Sequence, residues 1–190
     1  MRKLKLQVQL TTDGFMAGLN GEMDWMTWDW DEELKQFVTD LTAPVDCIIL
    51  GRKLAEGFIP HWAGVAANPT NPEVKTGKKF TDTQKVVFTQ TLSQSVWPNT
   101  VLAKGDLADE VNNLKNQEGG DMIVYGGAEF VSSLIKAGLI DEYHLFINPA
   151  AIGSGLSVFG GQEKDLNLSL TDSRKYKCGI VVNTYVPNQN

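Results

Sequence analysis

The stretch that most constrains this chain is Met122-Ile123-Val124-Tyr125-Gly126-Gly127-Ala128-Glu129. A short apolar, β-favouring run meets two adjacent glycines. A helical stripe of Val131, Leu134 and Ile135 follows, with Gly138 placed to stop it. A strand that turns through glycines into a helix leaves first-turn N–H groups pointing outward with the helix dipole behind them. That is a phosphate-binding geometry. The same pattern also serves as a plain strand-to-helix turn.

Similar units recur along the chain. Lys3 to Leu10 alternates polar and apolar residues as a strand does, and Thr11-Thr12-Asp13-Gly14 breaks it. Phe15 to Gly21 is a glycine-punctuated loop, and Trp25, Trp28 and Trp30 lead into a helix that Asp29 or Asp31 can cap. Leu34, Phe37, Val38 and Leu41 give that helix one apolar stripe, and Pro44 ends it. Asp46 to Leu50 is a near-continuous apolar strand, with a short helix starting at Gly51-Arg52. Ile59 to Lys79 carries Pro60, Pro69 and Pro72 among Asn, Gly and Lys, and is expected to be a long surface loop. Strands follow at Gln84–Thr89 and Thr100–Ala103, then a helix capped by Asp106 with Leu107, Val111 and Leu114 inward. After the glycine-pair unit come a strand over Asp141–Asn148 and the loop Pro149–Gly155. Alternation at Leu166-Leu168-Leu170 and within Tyr176–Tyr185 marks an antiparallel pair. The expected fold class is α/β: one domain over residues 1–190 with a mixed, mainly parallel sheet, helices on both faces and antiparallel strands at the end.

Composition narrows the function. Net charge is −6 with no basic stripe, so nucleic acid is not an expected partner, and any anion must be held by local groups. No apolar run is long enough to span a bilayer, and the N-terminus alternates where a signal peptide would be continuously apolar. The chain is therefore expected to be cytoplasmic, with no membrane partner. Cys47 and Cys178 read as free thiols, and two Cys and two His without a Cys-x-x-Cys give no zinc site. His61 and His144 have no catalytic partner at a telling spacing and read as structural.

Ligands of open α/β sheets bind beyond the carboxyl ends of parallel strands. Three punctuated strand ends qualify: Leu50-Gly51-Arg52, Phe88-Thr89-Gln90 and Tyr125-Gly126-Gly127. They offer glycines, a guanidinium, a hydroxyl and a helix N-terminus, a kit suited to the phosphates of a dinucleotide. A G-x-G-x-x-G fingerprint is absent, which argues against an ordinary Rossmann dehydrogenase. Each part also has a plainer role: Arg52 in a surface ion pair, Thr89 as a strand residue, the tryptophans as packing. Glu33 could be a lone acid, or a solvated helix glutamate.

The order of these motifs resembles the dihydrofolate-reductase-like superfamily. The run is Thr-Asp-Gly, a tryptophan loop, Ile-Leu-Gly-Arg, Val-Val-Phe-Thr, Val-Tyr-Gly-Gly-Ala, Leu-Ile-Asp-Glu-Tyr-His-Leu, then Pro-x-x-x-Gly-x-Gly. Within the superfamily it is most similar to the branch holding the C-terminal reductase domain of the riboflavin-biosynthesis enzyme RibD, which includes small stand-alone bacterial members. The resemblance implies NADPH across the carboxyl edge of the sheet. Gly51 and Arg52 would meet its phosphates, and Thr89 the adenosine ribose or its 2′-phosphate, with Lys104 as a further candidate there. Gly126, Gly127, Ala128, Glu129 and Phe130 would wrap the pyrophosphate. Ile152, Gly153, Ser154 and Gly155 would border the nicotinamide.

The acceptor would face Thr12, Asp13, Gly14, Trp25 and Phe37, with Asp13 or Glu33 as proton source. Leu54 departs from folate reductases, which usually place a hydroxyl there. The His-x-Glu and Pro-Cys-x-x-Cys pattern of a deaminase is missing, so no deamination is expected. The expected activity is NADPH-dependent reduction of a small heterocycle or ribosylaminopyrimidine-like compound by a homodimer. Dihydrofolate reductase and a non-catalytic NADP-binding protein are the alternatives.

Overall fold

The strand that the chain forms first lies deep in the middle of the sheet. In this computed structural model, which describes residues 1–162 and 165–188, β1 (Leu4–Leu10) pairs in parallel with β5 (Asp121–Val124) on one side and β6 (Glu142–Ile147) on the other. Beyond β5 lie β2 (Val45–Gly51), β3 (Gln84–Phe88) and β4 (Thr100–Ala103), all parallel. Beyond β6 lie β8 (Val181–Pro187) and β7 (Leu168–Lys175), joined antiparallel. The order is β4-β3-β2-β5-β1-β6-β8-β7, the mixed sheet with an antiparallel finish that the strand patterns imply.

Helices cover both faces. Leu4, Leu6, Val8 and Leu10 of β1 form one core with Val111 of α4 (Leu107–Lys115) and Val131, Leu134 and Ile135 of α5 (Ala128–Lys136). Each such buried side chain contributes about 2 kcal/mol of transfer free energy. On the opposite face, Ile48, Leu50, Val87 and Ile123 meet Ala55 and Ile59 of α2 (Arg52–Ala67) and Phe80 of α3 (Val74–Asp82). Further along that face, Leu34 of α1 (Glu32–Thr42) packs on Phe146, Tyr176, Ile180 and Val182.

The segment Ile59–Lys79 is helical over most of its length, not a surface loop. Ala55, Phe58, Ile59 and Trp62 repeat at i, i+3, i+4 and i+7 and carry α2 through Pro60 onto Phe80 and Tyr125. An interior proline loses one helix hydrogen bond and costs about 3 kcal/mol, which the burial of these large side chains offsets. α3 lies against α2 at Gly77, where a Cβ would come 2.7 Å from the Ala66 nitrogen. Pro69 and Pro72 fall in the short turn between the two helices, where they break nothing.

Candidate cofactor and substrate site

Six parallel strands bring their carboxyl ends to one edge. Connections leading from β1 toward β4 place α1, α2 and α3 on one face, and those returning through β5 to β6 place α4 and α5 on the other. α2 leaving β2 and α5 leaving the neighbouring β5 therefore diverge, and a crevice opens where they part.

Those two helices share a feature that α1 and α4 lack. α1 is closed by the Asp31 carboxylate, which accepts from the Leu34 N–H at 3.0 Å, and α4 by Asp106, which accepts from Ala108 and Asp109. α2 and α5 begin at Gly51 and Gly127, and no side chain caps either. Their first-turn N–H groups remain available to an anion. Gly127 sits at φ +86°, a left-handed conformation that a Cβ would strain. A Cβ at Gly51 would stand 3.0 Å from the Phe130 Cβ, so this glycine lets strand β2 lie close against α5. Both observations suit a backbone cradle for a pyrophosphate. Gly126 and Gly127 are walled by Leu54, and the Met16 methyl lies over Gly126.

Charged groups around the cradle are already paired with one another. Arg52 Nη1 donates to Glu56 one turn on at 2.5 Å, and Lys53 meets Glu129 at 3.1 Å, bridging the starts of α2 and α5. All four side chains lie at or near the surface, and a polyanion can draw the two cations away from their carboxylates at small cost. Thr89 is 6 % exposed, its Oγ1 accepts from the Thr91 and Leu92 N–H groups at 3.2 Å, and it lies 3.4 Å from the Thr91 hydroxyl. Its side chain closes the turn after β3. Lys104 is tied to the same turn through the Ser93 carbonyl.

The ends of β1 and β6 are stitched together. Thr12 gives both its N–H and its hydroxyl to the Ala150 carbonyl, and the Asp13 carboxylate accepts from the Gly153 N–H at 2.7 Å and the Ile152 N–H at 3.1 Å. The Thr11 hydroxyl and the Gly153 N–H hold the Asp13 carboxyl below the usual carboxylate range. Gly14 and Gly153 both take positive φ in these turns. Gly155 backs onto the Ala17 carbonyl, where a Cβ would collide. Ile152, Gly153, Ser154 and Gly155 thus form one loop fixed beside the 11–17 turn.

Asn148, which the sequence reading passed over, organises this corner. It is fully buried at the end of β6. Its amide donates to Gln9 Oε1 at 2.8 Å and to the Phe146 carbonyl at 3.2 Å, while its oxygen accepts from the Thr27 N–H at 3.0 Å. One side chain ties β1, β6 and the tryptophan loop. An asparagine directly before Pro149 at a strand end was the available signal. The three tryptophans divide: Trp30 stacks on Phe146 in the core, Trp28 is 71 % exposed, and Trp25 is half-buried.

Two expected site residues are not brought to the crevice. Glu33 lies on the outer side of α1 with its side chain 69 % exposed, 4.0 Å from Lys177. Phe37 packs between α1 and the sheet, its ring 6.1 Å from those of Phe146 and Tyr176 and beneath the Arg174 guanidinium. The helix turns Leu34 toward the core, and that rotation sends Glu33 outward. His144 is buried, bonded to Glu142 at 2.6 Å and to Thr184 at 3.2 Å, as a structural histidine should be. Cys47 and Cys178 are free thiols. Among the described residues, no helix is long and apolar enough to cross a membrane.

Comparison with known proteins agrees with this architecture. The chain is 31% identical over 186 residues to the Bacillus subtilis protein YyaP, covering 97% of this chain and 94% of that one. It superimposes with a TM-score of 0.70, at 19% identity and over 98% of its length, on the Thermotoga maritima diaminohydroxyphosphoribosylaminopyrimidine deaminase/5-amino-6-(5-phosphoribosylamino)uracil reductase, of which it spans 57%. With the dihydrofolate reductase of Enterococcus faecalis, solved with NADP(H), the TM-score is 0.63 at 16% identity, over 98% of this chain and 97% of that one. At these identities the two structures establish the fold, which is dihydrofolate-reductase-like. The RibD C-terminal domain family matches residues 2–182, and the chain belongs to that family.

Proposed function

We propose that this protein is an NADPH-dependent reductase whose acceptor is a small heterocycle of the ribosylaminopyrimidine type. One observation carries the reading: two helices, neither capped by a side chain, start at glycines on adjacent strand ends, while α1 and α4 are capped by aspartates and the other uncapped helix, α3, follows α2 away from any strand end. NADPH, when bound, supplies the hydride. The N–H groups of Ala128, Glu129 and Phe130 hold its pyrophosphate, and Arg52 and Lys53 exchange their carboxylate partners for phosphate. The Ile152–Gly155 loop borders the nicotinamide side and is kept in place by Asp13. Because the Asp13 carboxylate is held ionised and occupied by two N–H groups, it positions this loop, and solvent delivers the proton. Thr12, Gly14 and Trp25 face the acceptor, and the tryptophan loop excludes water from it.

The folate reductase alternative is weakened by the outward Glu33 and by apolar Leu54 beside the glycine pair. A reductase assay separates the readings, following loss of nicotinamide absorbance with 5-amino-6-(5-phosphoribosylamino)uracil and, separately, with dihydrofolate. Turnover of the aminouracil supports the proposal. NADPH binding without turnover on either acceptor favours a non-catalytic NADP-binding protein. Turnover of dihydrofolate alone would replace the proposed acceptor class.

A further inference from the structure

The loop that carries the tryptophans has charge of one sign. Between Lys5 and Lys35 the chain holds seven carboxylates and no lysine, arginine or histidine. Four of the seven are engaged locally. Asp13 and Asp31 accept backbone N–H groups, Glu32 pairs with Lys35 at 2.8 Å, and Glu33 lies 4.0 Å from Lys177. The other three, Glu22, Asp24 and Asp29, are exposed, and none of them forms an ion pair among the described residues. Glu22 accepts from the Asn20 N–H and side-chain amide, at 3.1 and 2.7 Å, which leaves its charge in place.

This loop runs along the side of the crevice that the reductase reading gives to the acceptor. It leaves the cradle at Met16, whose methyl lies over Gly126. Ala17 then pairs with Leu156, just past the Ile152–Gly155 loop, and the Thr27 N–H reaches Asn148 at the end of β6. The loop thus crosses the carboxyl edge from the glycine pair to β6. The cations stand elsewhere. Arg52 and Lys53 open α2 beside the cradle, where they can turn to phosphate. Beyond β6, in the turn that joins β7 to β8, Arg174 pairs with Asp172 at 2.6 Å and Lys177 faces Glu33, which leaves Lys175 alone without a carboxylate among the described residues. One crevice therefore has a side suited to phosphate and a side that repels it.

We propose that the tryptophan loop selects the acceptor by charge: the acceptor is a neutral or cationic ring compound that carries no phosphate, and Glu22, Asp24 and Asp29 turn phosphorylated analogues away. This deepens the reductase reading and rests on it for the role of the site. A phosphate dianion held near the loop would meet three carboxylates with no cation between them, and like charges brought together lower affinity without any steric clash. Repulsion of this kind acts through solvent, so salt weakens it, whereas a pocket too small for a phosphate would reject it at any ionic strength.

The test titrates 5-amino-6-(5-phosphoribosylamino)uracil, and the same compound freed of its phosphate by a phosphatase, by tryptophan fluorescence with and without NADPH. Wild-type protein is expected to bind the dephosphorylated compound about tenfold more tightly at about 10 mM salt, and the difference should shrink to about twofold at about 1 M salt, as the Debye length falls from about 30 to about 3 Å. Glu22→Gln, Asp24→Asn and Asp29→Asn combined in one chain should bring the low-salt preference to about twofold and leave NADPH affinity unchanged. Four outcomes would overturn the proposal: no binding of either compound, equal or tighter binding of the phosphorylated one at low salt, a preference undiminished by salt in wild type, or a preference undiminished in the folded triple variant. The wild-type salt series decides the matter even where the variant does not fold. The expected preference without oxidation of NADPH by either compound would instead remove the reductase reading and leave charge selection standing.

Discussion

Asn148 shows how much one residue can hold at the strand ends. It sits fully buried, and its bonds reach β1, β6 and the tryptophan loop at once. Replacing it by leucine leaves the Thr27 N–H and the Gln9 amide without their partner, and should lower unfolding free energy by about 2–3 kcal/mol in denaturant titration. Glu142 offers a pH-dependent counterpart. The His144 ring beside it holds its carboxyl well down, to about 2 from an ordinary value of 4.5. Its folded-state affinity for a proton is thus weaker than in the unfolded chain. The stabilisation is fully present above the unfolded value and is lost as pH falls from about 4.5 toward 2. Melting temperatures of wild type and Glu142→Gln should differ at neutral pH and converge in acid; a constant difference would contradict this linkage.

Among the elements, the two kinds of helix start make opposite demands. Asp31→Ala removes the cap of α1 and should cost about 1 kcal/mol. At α5 there is no cap to remove, and stability there depends on the glycine conformation. Gly127→Ala forces a Cβ into the left-handed region and should cost about 1–2 kcal/mol, while also weakening any anion bound at the helix start. Lys85 serves the far end of α3. It is 2 % exposed, and its ammonium donates to the carbonyls of Phe80, Thr81 and Thr83. Lys85→Met leaves those carbonyls unpaired and should destabilise by about 2 kcal/mol by chemical denaturation.

Element identity was legible wherever periodicity and caps agreed. The β strands, the Asp106 cap and the stop at Gly138 follow from local pattern, and of the two candidate caps for α1, Asp29 and Asp31, the structure uses Asp31. It failed at Pro60, where a strong proline rule outweighed a visible apolar stripe. Only tertiary burial decides that contest.

At the scale of the whole molecule, the location of the candidate site was legible and its wiring was not. Strand–helix alternation implied a crevice at the carboxyl edge, and the glycine pair marked where. The apolar stripe of α1 already turned Phe37 inward, away from the acceptor role that the resemblance implied, and the same rotation of the helix sends Glu33 outward. The turn after β3, in which the Thr89 Oγ1 accepts two N–H groups, was likewise not legible in the sequence. The polar face of β1 was visible as simple alternation, but its burial became apparent only with β1 placed between β5 and β6. That placement sets the parts of the proposed site side by side: β5 carries the phosphate cradle, and on its other side β1 and β6 carry the 11–17 turn and the Ile152–Gly155 loop, which Asp13 fixes to each other.

The central claim is that the divergence of α2 and α5 makes a dinucleotide site. It is tested most directly by titrating the protein with NADPH while following tryptophan fluorescence and energy transfer to the nicotinamide, in wild type and in Gly127→Ala. Saturable micromolar binding by wild type, weakened in the folded variant, is the expected result. No binding by wild type, or equal binding by both, would contradict the account and return the glycine pair to the role of a packing turn.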